Sequence, residues 1–325
     1  MALYAHGCYK KVCWCFTEMI VMSFIHPKRI YRKTKRTLGD LFWNYLVPDS
    51  LSIRYIFKKR LGYKCDLKHP KTFNEKIQWL KLHDRKELYH KLVDKYEVKS
   101  IIGDLIGNEY VIPTLGIWDR FEDIDFSTLP EQFVLKCTHD SASVIVCKDK
   151  SSFDFSSARE KLTGALRKDY YHFVGKQWAY KGVKKKIIAE EYLDEGNSEG
   201  LTDYKFMVFG GKCRCVFVCA GRQSRLRLDA YDTDWQLMPF TRNNHPNLKE
   251  RIPRPKCYDT MLVMAERIAG YIGNPFVRVD FYEVKGKVYF GEVTFYPEGG
   301  LGRFKPIKWD YIMGEWMEGI GSPRK

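Results

Sequence analysis

Two acidic residues near the end of the sequence have the type and spacing needed to hold a metal ion. Residues 276–300 read FVRVDFYEVKGKVYFGEVTFYPEGG, two runs of alternating Val, Phe and Tyr joined by VKGK. This pattern predicts a β-hairpin with glycine in its turn. A turn centred on Gly286 sets Asp280 opposite Glu292, where two carboxylates repel each other unless a positive group lies between them. A hard divalent cation is the natural candidate, and a solvated strand face with scattered charges is the alternative.

The same hairpin predicts which side chains accompany the two carboxylates. Because side chains alternate along a strand, Arg278 shares a face with Asp280, and Phe290 and Thr294 share a face with Glu292. The register also sets Arg278 opposite Thr294. An arginine and a hydroxyl group are therefore expected beside the two acids.

Candidates for binding an anion occur earlier in the chain. The stretch QFVLKCTHDSASVIVCKDK predicts a strand closed by Lys136, a polar loop over residues 138–143 and a second strand. Small hydroxylated residues let backbone amides approach an anion closely, and a lysine at the strand end can neutralise its charge. Ordinary hairpin tips have a similar composition, so this stretch alone does not identify a phosphate site.

Acidic and basic residues recur on later strands. IIAEEYL places Glu190 and Glu191 side by side, so they point to opposite faces and at most one points inward. DYKFMVFGG carries Asp203 and Lys205. The segment after it carries three arginines that could contact an acidic acceptor: Arg222, Arg225 and Arg227.

The elements that must position these residues predict an α+β fold. Apolar side chains at helical spacing predict a helical N-terminal lobe, and beyond it strands alternate with helices without regular βαβ repeats. Such alternation favours antiparallel sheets. We predict a basic N-terminal segment, the helical lobe, a central subdomain and a C-terminal subdomain, at residues 1–48, 49–100, 101–189 and 190–325.

The composition limits the compartment and the partners. A chain of 325 residues, 45% of them hydrophobic, is long enough for two or three lobes. Ten cysteines without CxxC pairs or clustered histidines favour reduced core residues and a cytoplasmic location over zinc ligands or disulfides. The net charge of +15 indicates an anionic partner. Nucleic acid is disfavoured, because no zinc-finger spacing, RNA-binding strand signature or helix-turn-helix is present.

Residues 1–36 combine an apolar run, interrupted by Glu18, with the basic stretch HPKRIYRKTKRT. The run is shorter than the ~20 residues of a membrane-spanning helix, and no small-residue cleavage site follows it. Two interpretations remain open: a peripheral helix on an anionic membrane leaflet, or a core helix with a basic surface.

The order of these parts resembles the ATP-grasp superfamily. DKxxxK precedes a strand and a proline, a strand-end lysine precedes a small-residue loop, and EEYL, RVDF and GEVT follow. PKTFNEKIQWLKLHDR, IWD after VIPTLG, VLKCTHDS and RVDFYEVKGKVYFGEVTFYPEGGLGRFKP are similar to the TupA-like branch, which is associated with bacterial cell-surface polysaccharide synthesis. The resemblance covers roughly residues 50–317. It implies an ATP-grasp fold, in which two α+β lobes clamp ATP.

The resemblance also implies a role for each matching residue. The residues that would bind ATP are Lys95 or Lys99, Lys136, Thr138, Ser141, Ser143, Glu190, Glu191, Tyr192, Leu193 and Asp203, the last at the ribose. The residues that would carry Mg²⁺ are Asp280, Glu292 and Thr294, where Thr294 stands in place of the asparagine of many ATP-grasp enzymes. The predicted catalytic residues are Lys136, Arg222 and Arg278, with Arg278 bracing the transferring phosphoryl group.

The implied activity is that of an ATP- and magnesium-dependent carboxylate–amine ligase. It would join an amino acid or other amine to a sugar carboxylate, such as a hexuronic acid, in an acidic or lipid-linked saccharide. Three alternatives remain: a sugar phosphotransferase that uses a hydroxyl acceptor, a glycosyltransferase with a metal-bound nucleotide sugar, and a non-catalytic module that binds acidic glycan or lipid. A cytoplasmic location is expected, and the basic N-terminus would allow contact with the inner face of the membrane.

Overall fold

The computed structural model describes residues 45–141, 143–173, 175–196, 200–221, 226–243, 245–248 and 250–320. The basic segment 1–36 and the predicted catalytic Arg222 lie outside the described residues. The chain divides into two compact units, residues 1–52 and 53–325, and all the sheets described below belong to the second unit. Within the described ranges, every helix falls short of the length and apolarity that a membrane crossing requires.

Helices occupy the first part of the described chain: α1 (Asp49–Leu61), α2 (Phe73–His83), α3 (Leu88–Val93) and α4 (Glu97–Ile106). Helix α2 begins at a capping box. The Thr72 hydroxyl accepts a hydrogen bond from the Glu75 amide, and the Glu75 carboxylate accepts one from the Thr72 amide. Two amides at the helix start are thereby satisfied. Apolar residues of α2, α3 and α4 share one core with the larger sheet described below.

A four-stranded antiparallel sheet follows, with strand order β1-β4-β2-β3. Its strands are β1 (Thr114–Trp118), β2 (Phe133–Cys137), β3 (Ile145–Cys147) and β4 (Ile187–Glu191). Helix α5 (Phe155–Leu166) packs on it through Ala158, Leu162 and Ala165, and the short helix α6 (Tyr170–Phe173) comes next. The predicted boundary between residues 189 and 190 falls inside β4.

The second sheet has five antiparallel strands in the order β10-β9-β5-β6-β7. Its strands are β5 (Asp203–Phe209), β6 (Lys212–Ala220), β7 (Arg227–Asp232), β9 (Phe276–Val284) and β10 (Lys287–Thr294). Helix α7 (Tyr258–Ile272) packs on one face, where the rings of Phe206, Tyr258 and Phe281 meet. The remaining elements are β8 (Thr241–Arg242), which pairs with β11 (Phe304–Lys305), and α8 (Lys308–Glu315).

These sheets agree with the α+β prediction, including its antiparallel strands. The cysteines of β6, at positions 213, 215 and 219, are buried free thiols rather than disulfides. Most of the polar residues singled out in the sequence lie on strands: on β2, β4, β5 and the β9–β10 hairpin. Lys99 lies on α4, and Lys95 precedes that helix.

Candidate active site

The β9–β10 hairpin brings Asp280 opposite Glu292, as predicted, but its turn is shorter than expected. The two tip residues, Lys285 and Gly286, both have positive φ, at 52° and 78°. A two-residue turn alone would place Glu292 one position out of register with Asp280. One extra residue, Gly291, bulges from β10 and shifts the register by one, so that the two carboxylates face each other.

The bulge shows that one prediction was wrong. Phe290 does not share a face with Glu292 and Thr294, because side-chain alternation restarts after the extra residue. Phe290 instead pairs with Phe281 and is buried in the core. A glycine within a strand pattern is the sequence signal for such a bulge, and Gly291 provides it.

The guanidinium of Arg278 lies between the two carboxylates. Its Nε and Nη2 atoms each donate to the Asp280 carboxylate at 2.7 Å, and Nη2 also donates to Oε1 of Glu292 at 2.5 Å. Lys205 on the neighbouring β5 donates to Asp280 at 2.5 Å and to Asp203 at 3.3 Å. The repulsion that suggested a metal ion is therefore offset by side chains of the protein itself. A metal at this site needs support from other observations.

Lys205 is the functional candidate to which sequence reasoning gave no role. Burial is the largest effect and opposes its charge, but the attraction of Asp280 and Asp203 together outweighs burial and raises the pKa of the Lys205 ammonium. Lys205 could have been recognised from the sequence, because it lies two positions from Asp203 in an otherwise apolar strand. The Asp203 carboxylate, predicted to hold a ribose, is buried and contacts Lys205, so it belongs to the charge network on this face.

Glu292 is the more accessible of the two hairpin acids. Its side chain is 34% exposed, whereas that of Asp280 is 1% exposed. Burial opposes its ionisation, but Arg278 and two lysines outweigh burial and lower the pKa of Glu292 to about 2. The Thr294 hydroxyl donates to Oε1 of Glu292 at 3.1 Å and so helps to fix that carboxylate.

A second charge cluster centres on Glu190, which is buried on β4 between two lysines. Its carboxylate accepts hydrogen bonds from Lys136 and from Lys99, the latter at 2.8 Å. Burial opposes ionisation here too, yet the two lysines lower the pKa of Glu190. Glu191 is exposed, so only one of the two neighbouring acids points inward, as predicted.

The structure distinguishes Lys99 from Lys95, which the sequence could not. The ammonium of Lys99 has three donors, and it contacts Glu190, the Ile112 carbonyl at 2.6 Å and the Thr114 hydroxyl at 2.9 Å. All three donors therefore have protein partners, and Lys99 ties β4 to the chain entering β1.

Lys95 instead joins the polar loop over residues 138–143. Its ammonium donates to the Asp140 carbonyl, and its amide donates to the Thr138 carbonyl at 3.0 Å. Burial first, and repulsion from Lys136 second, lower the pKa of the Lys95 ammonium. A loop carbonyl is a contact that an anionic ligand can replace at lower cost than a buried carboxylate.

The hydroxyls predicted to cover phosphate are engaged within the protein. Thr138 donates to the Lys184 carbonyl at 3.1 Å, and Ser143 donates to Asp140 at 2.5 Å. Ser141 contacts the hydroxyl of Tyr170. These bonds fix the shape of the loop, and any contact between the loop and an anion falls mainly to its backbone amides.

The two residues after the acidic strand take different positions. Leu193 is buried in a small apolar cluster with Ile112 and Val284 from the hairpin tip. Tyr192 is half-buried, and its ring lies 5.9 Å from the Lys148 ammonium. Contact of this segment with adenine stays a prediction.

The lysines and the hairpin meet in one cleft. It is lined by Lys95, Val98, Lys99, Val111, Ile112, Lys136, Glu190, Phe290 and Gly291. Glu292 follows Gly291 directly and is electrostatically coupled to Lys95. The cleft thus combines apolar walls, ammonium groups and an adjacent carboxylate, a chemistry that suits the phosphate groups of a nucleotide and a bound cation.

Comparison with known proteins identifies the family of this chain. The family model described as TupA-like ATPgrasp matches residues 75–318, more than half of the chain. The chain belongs to the TupA-like ATP-grasp family. The resemblance and the fold class predicted from the sequence are confirmed. No curated protein sequence matches this TupA-like chain.

Three solved structures similar to the TupA-like chain are distant in sequence. D-alanine–D-alanine ligase from Bacillus anthracis complexed with ATP is 14% identical over 63% of this chain, with a TM-score of 0.34. L-amino acid ligase from Bacillus licheniformis is 12% identical over 76%, with a TM-score of 0.41. The ATP-grasp ligase PsnB, complexed with a minimal precursor, Mg and ADP, is 11% identical over 68%, with a TM-score of 0.36. The TupA-like chain spans 54% to 57% of the length of these proteins.

The hairpin of the TupA-like protein offers a donor set that fits magnesium. Mg²⁺ takes hard oxygen ligands and commonly uses one or two carboxylates, with phosphate oxygens and water completing the octahedron. Glu292 supplies one such carboxylate, and its exposed part is accessible to a ligand. The buried Asp280 would supply the second by exchanging its contacts with Arg278 and Lys205 for the ion. Among the described residues there is no cluster of three or more His, Cys, Asp or Glu side chains that could hold a metal ion by itself. The remaining ligands would therefore come from the nucleotide and solvent.

Proposed function

We propose that this TupA-like protein is an ATP- and magnesium-dependent ligase that joins an amino acid or other amine to a sugar carboxylate. The acceptor is a hexuronic acid of a cell-surface polysaccharide or of its lipid-linked precursor, modified in the cytoplasm or at the inner membrane face. The observation that carries the proposal is the cleft in which Lys95 and Lys136 approach the hairpin bearing Glu292. The net charge of +15 supports an acidic acceptor.

Each charged group of the cleft has a distinct task in this reaction. Lys95 and Lys136 bind phosphate oxygens of ATP, Lys136 through ammonium donors that do not contact Glu190. Lys99, whose three donors all have protein partners, keeps Glu190 in place. When bound at Asp280 and Glu292, magnesium would neutralise phosphate charge and orient the transferring group. Arg278, already fixed by both carboxylates, stabilises the charge on the phosphoryl oxygens.

The proposed reaction has two steps, phosphorylation of the carboxylate and displacement of phosphate by the amine. An oxygen of the sugar carboxylate attacks the γ-phosphorus, the bond to the β–γ bridging oxygen breaks, and ADP leaves. The amine nitrogen then attacks the acyl carbon, phosphate leaves, and the nitrogen loses a proton to solvent. Phosphoryl transfer of this kind needs positioning and charge stabilisation rather than a protein nucleophile. In keeping with that, burial raises the pKa of the Cys137 and Cys219 thiols to about 11.

The proposal is tested by measuring ADP and phosphate with defined acceptors. We expect both products only when a hexuronic acid and an amine are supplied together with ATP and Mg²⁺. ADP without free phosphate in the presence of a hydroxyl acceptor would assign a phosphotransferase. Turnover of a nucleotide sugar without ATP would assign a glycosyltransferase and overturn the ligase proposal.

A further inference from the structure

Two large apolar side chains project from the protein where α8 begins. Ile307 is 54% exposed and Tyr311 is 46% exposed. Ile307 directly precedes α8 and already has helical dihedral angles, with φ −62° and ψ −22°. Positions i and i+4 of a helix lie on one face, with Cβ atoms about 5–6 Å apart. The two side chains therefore form one apolar projection.

The end of α1 adjoins this projection. The Arg303 guanidinium donates to the Arg60 carbonyl through Nη2 and through Nε, the latter at 3.0 Å. The Tyr63 hydroxyl donates to Oδ2 of Asp310 at 3.3 Å. The end of α1 and the segment that leads into α8 therefore lie side by side.

Positive charge dominates the surface formed by residues 60–68 and 303–311, which we call the Ile307 surface. Asp66 is the one exposed acid of these two segments, and its carboxylate accepts hydrogen bonds from two nearby backbone amides at 2.9 Å. Asp310 is buried. Six exposed cations stand against them, none in an ion pair with another described residue: Arg60, Lys64, Lys68, Arg303, Lys305 and Lys308.

The next acid along α8 does not cancel this charge. Glu315 lies four positions after Tyr311 and is electrostatically coupled to Lys76 of α2, whose own charge offsets it. The Ile307 surface thus combines an apolar projection with a positive surround. Apolar side chains exposed together in this way are typical of interaction sites.

We propose that the Ile307 surface binds an anionic lipid leaflet, with Ile307 and Tyr311 inserted among the lipids and the cations at the headgroup phosphates. Peripheral proteins bind membranes through buried apolar area together with attraction to anionic lipid. Tyrosine is enriched at the membrane–water boundary. An acidic polysaccharide would satisfy the cations but would leave the projecting apolar side chains without a partner. Membrane binding goes beyond the proposed ligase reaction and does not depend on it.

A contact of this size is weak. One lipid-inserting group gives marginal, reversible binding, and stable attachment takes a second contact. The peripheral helix predicted within residues 1–36 is the candidate for that second contact. The Ile307 surface alone is therefore not expected to hold the protein on vesicles during sedimentation.

Titration of the full chain with phosphatidylglycerol vesicles at low salt tests the proposal, with phosphatidylcholine vesicles as the neutral surface. We expect binding to the anionic vesicles alone. Lys305→Gln and Lys308→Gln should each raise the dissociation constant roughly fivefold. Ile307→Gln should raise it roughly tenfold, because an inserted apolar side chain is lost.

Two control variants should bind like the wild type. Val263→Gln removes an apolar side chain of α7 that is 67% exposed, more than Ile307. Lys256→Gln removes an exposed cation beside Cys257, whose thiol contacts the hairpin tip at Gly286. Thermal unfolding should be unchanged in every variant, since all the replaced side chains are exposed.

Tryptophan substitutions locate the contact. Brominated lipid quenches tryptophan fluorescence only where the indole reaches the acyl chains. Brominated phosphatidylglycerol should therefore quench added fluorescence in Ile307→Trp and not in Val263→Trp. This readout does not depend on how strongly residues 1–36 bind.

The outcomes separate the membrane contact from its alternatives. Wild-type affinity in Ile307→Gln, or an equal loss in Val263→Gln, overturns the proposal. Binding of tetragalacturonate that Lys305→Gln weakens, without quenching of Ile307→Trp on vesicles, assigns the surface to an acidic saccharide. Ile307-dependent vesicle binding without any ADP release keeps the membrane contact and rejects the ligase. ADP release by a protein that binds no vesicles keeps the ligase and rejects the membrane contact.

Discussion

Glu292 faces Asp280 because Gly291 is inserted between two otherwise regular stretches of the β9–β10 ladder. Before the bulge Phe290 pairs with Phe281, and after it the two carboxylates pair. If Gly291 paired regularly with Asp280 instead of bulging, Glu292 would lie opposite Val279, on the core face of the sheet. The bulge therefore creates the acidic pair, and the glycine also lines the cleft.

Gly291→Ala should reduce both the turnover and the stability of the protein. A Cβ at this position would lie 3.1 Å from the Asp280 carbonyl oxygen and 3.2 Å from the Tyr282 ring, so the strands must shift. We expect a loss of about 1–3 kcal/mol in unfolding free energy and a fall in kcat of roughly tenfold or more. ADP release and thermal unfolding measure the two effects.

Gly270→Ala is the control for Gly291→Ala, because nothing lies within 4 Å of its added methyl group, and it should retain full activity. A Gly291→Ala enzyme with the wild-type rate would contradict the role of the bulge.

Asp280→Asn and Glu292→Gln should both abolish ADP release but differ in stability. Asp280 is the buried partner of Arg278 and Lys205, so its neutralisation leaves two cations poorly compensated. We expect a loss of about 3–5 kcal/mol in unfolding free energy for Asp280→Asn. Glu292 is partly exposed, so solvent screens its contact with Arg278, and its replacement should cost less, about 1–2 kcal/mol. Chemical denaturation together with an ADP assay distinguishes them, and equal stability of the two variants would refute the assigned charge network.

Lys99→Met should mainly reduce stability, whereas Lys95→Met should mainly weaken nucleotide binding. Lys99 satisfies a buried carboxylate, a carbonyl and a hydroxyl, so its loss should lower the melting temperature strongly. Lys95 donates to a loop carbonyl, so its loss should weaken ATP binding with a smaller change in stability. Calorimetric ATP titration and thermal unfolding provide both readouts. The opposite pattern would mean that Lys99 is the lysine that contacts phosphate.

Glu190 should contribute stability that depends on pH. Burial opposes its ionisation, but Lys136 and Lys99 lower its folded pKa below the ordinary value of 4.5. The contribution is therefore complete above the unfolded pKa and is lost as the pH falls through the folded pKa. Relative to Glu190→Gln, the wild type should keep a constant advantage in melting temperature above about pH 5.5 and lose it progressively below about pH 4.5. Glu191→Gln, on the exposed side of the same strand, should follow the wild type at every pH.

Deletion of residues 1–36 tests the predicted peripheral helix. If this basic segment lies on an anionic leaflet, the shortened protein should no longer sediment with phosphatidylglycerol vesicles, while the full chain does so at low salt. ADP release by both proteins controls for folding. Unchanged sedimentation of the shortened protein would contradict the peripheral helix and favour the core-helix interpretation.

The sequence predicted the features that depend on residues close together in the chain. Alternating side chains predicted the hairpin, and the adjacent Glu190 and Glu191 required one to point inward, because both patterns follow from strand geometry. The role of Lys205 was missed because its partner Asp280 is 75 positions away. The sequence could not predict the hydrogen-bond partners of the Thr138 and Ser143 hydroxyls. These partners depend on the position of the Lys184 carbonyl and on the local fold of the loop.

The pairing of β5 with β9 also affects how the protein is made. Lys205 and Asp280 meet across neighbouring strands although 75 positions separate them in the chain. At a translation rate of 5–20 residues per second, a nascent chain would hold β5 without its partner for roughly 4–15 s. During that interval an apolar strand edge and a lysine that has Asp203 but not Asp280 beside it are open to misassociation. Chains interrupted before the hairpin are accordingly expected to need chaperone protection or to aggregate.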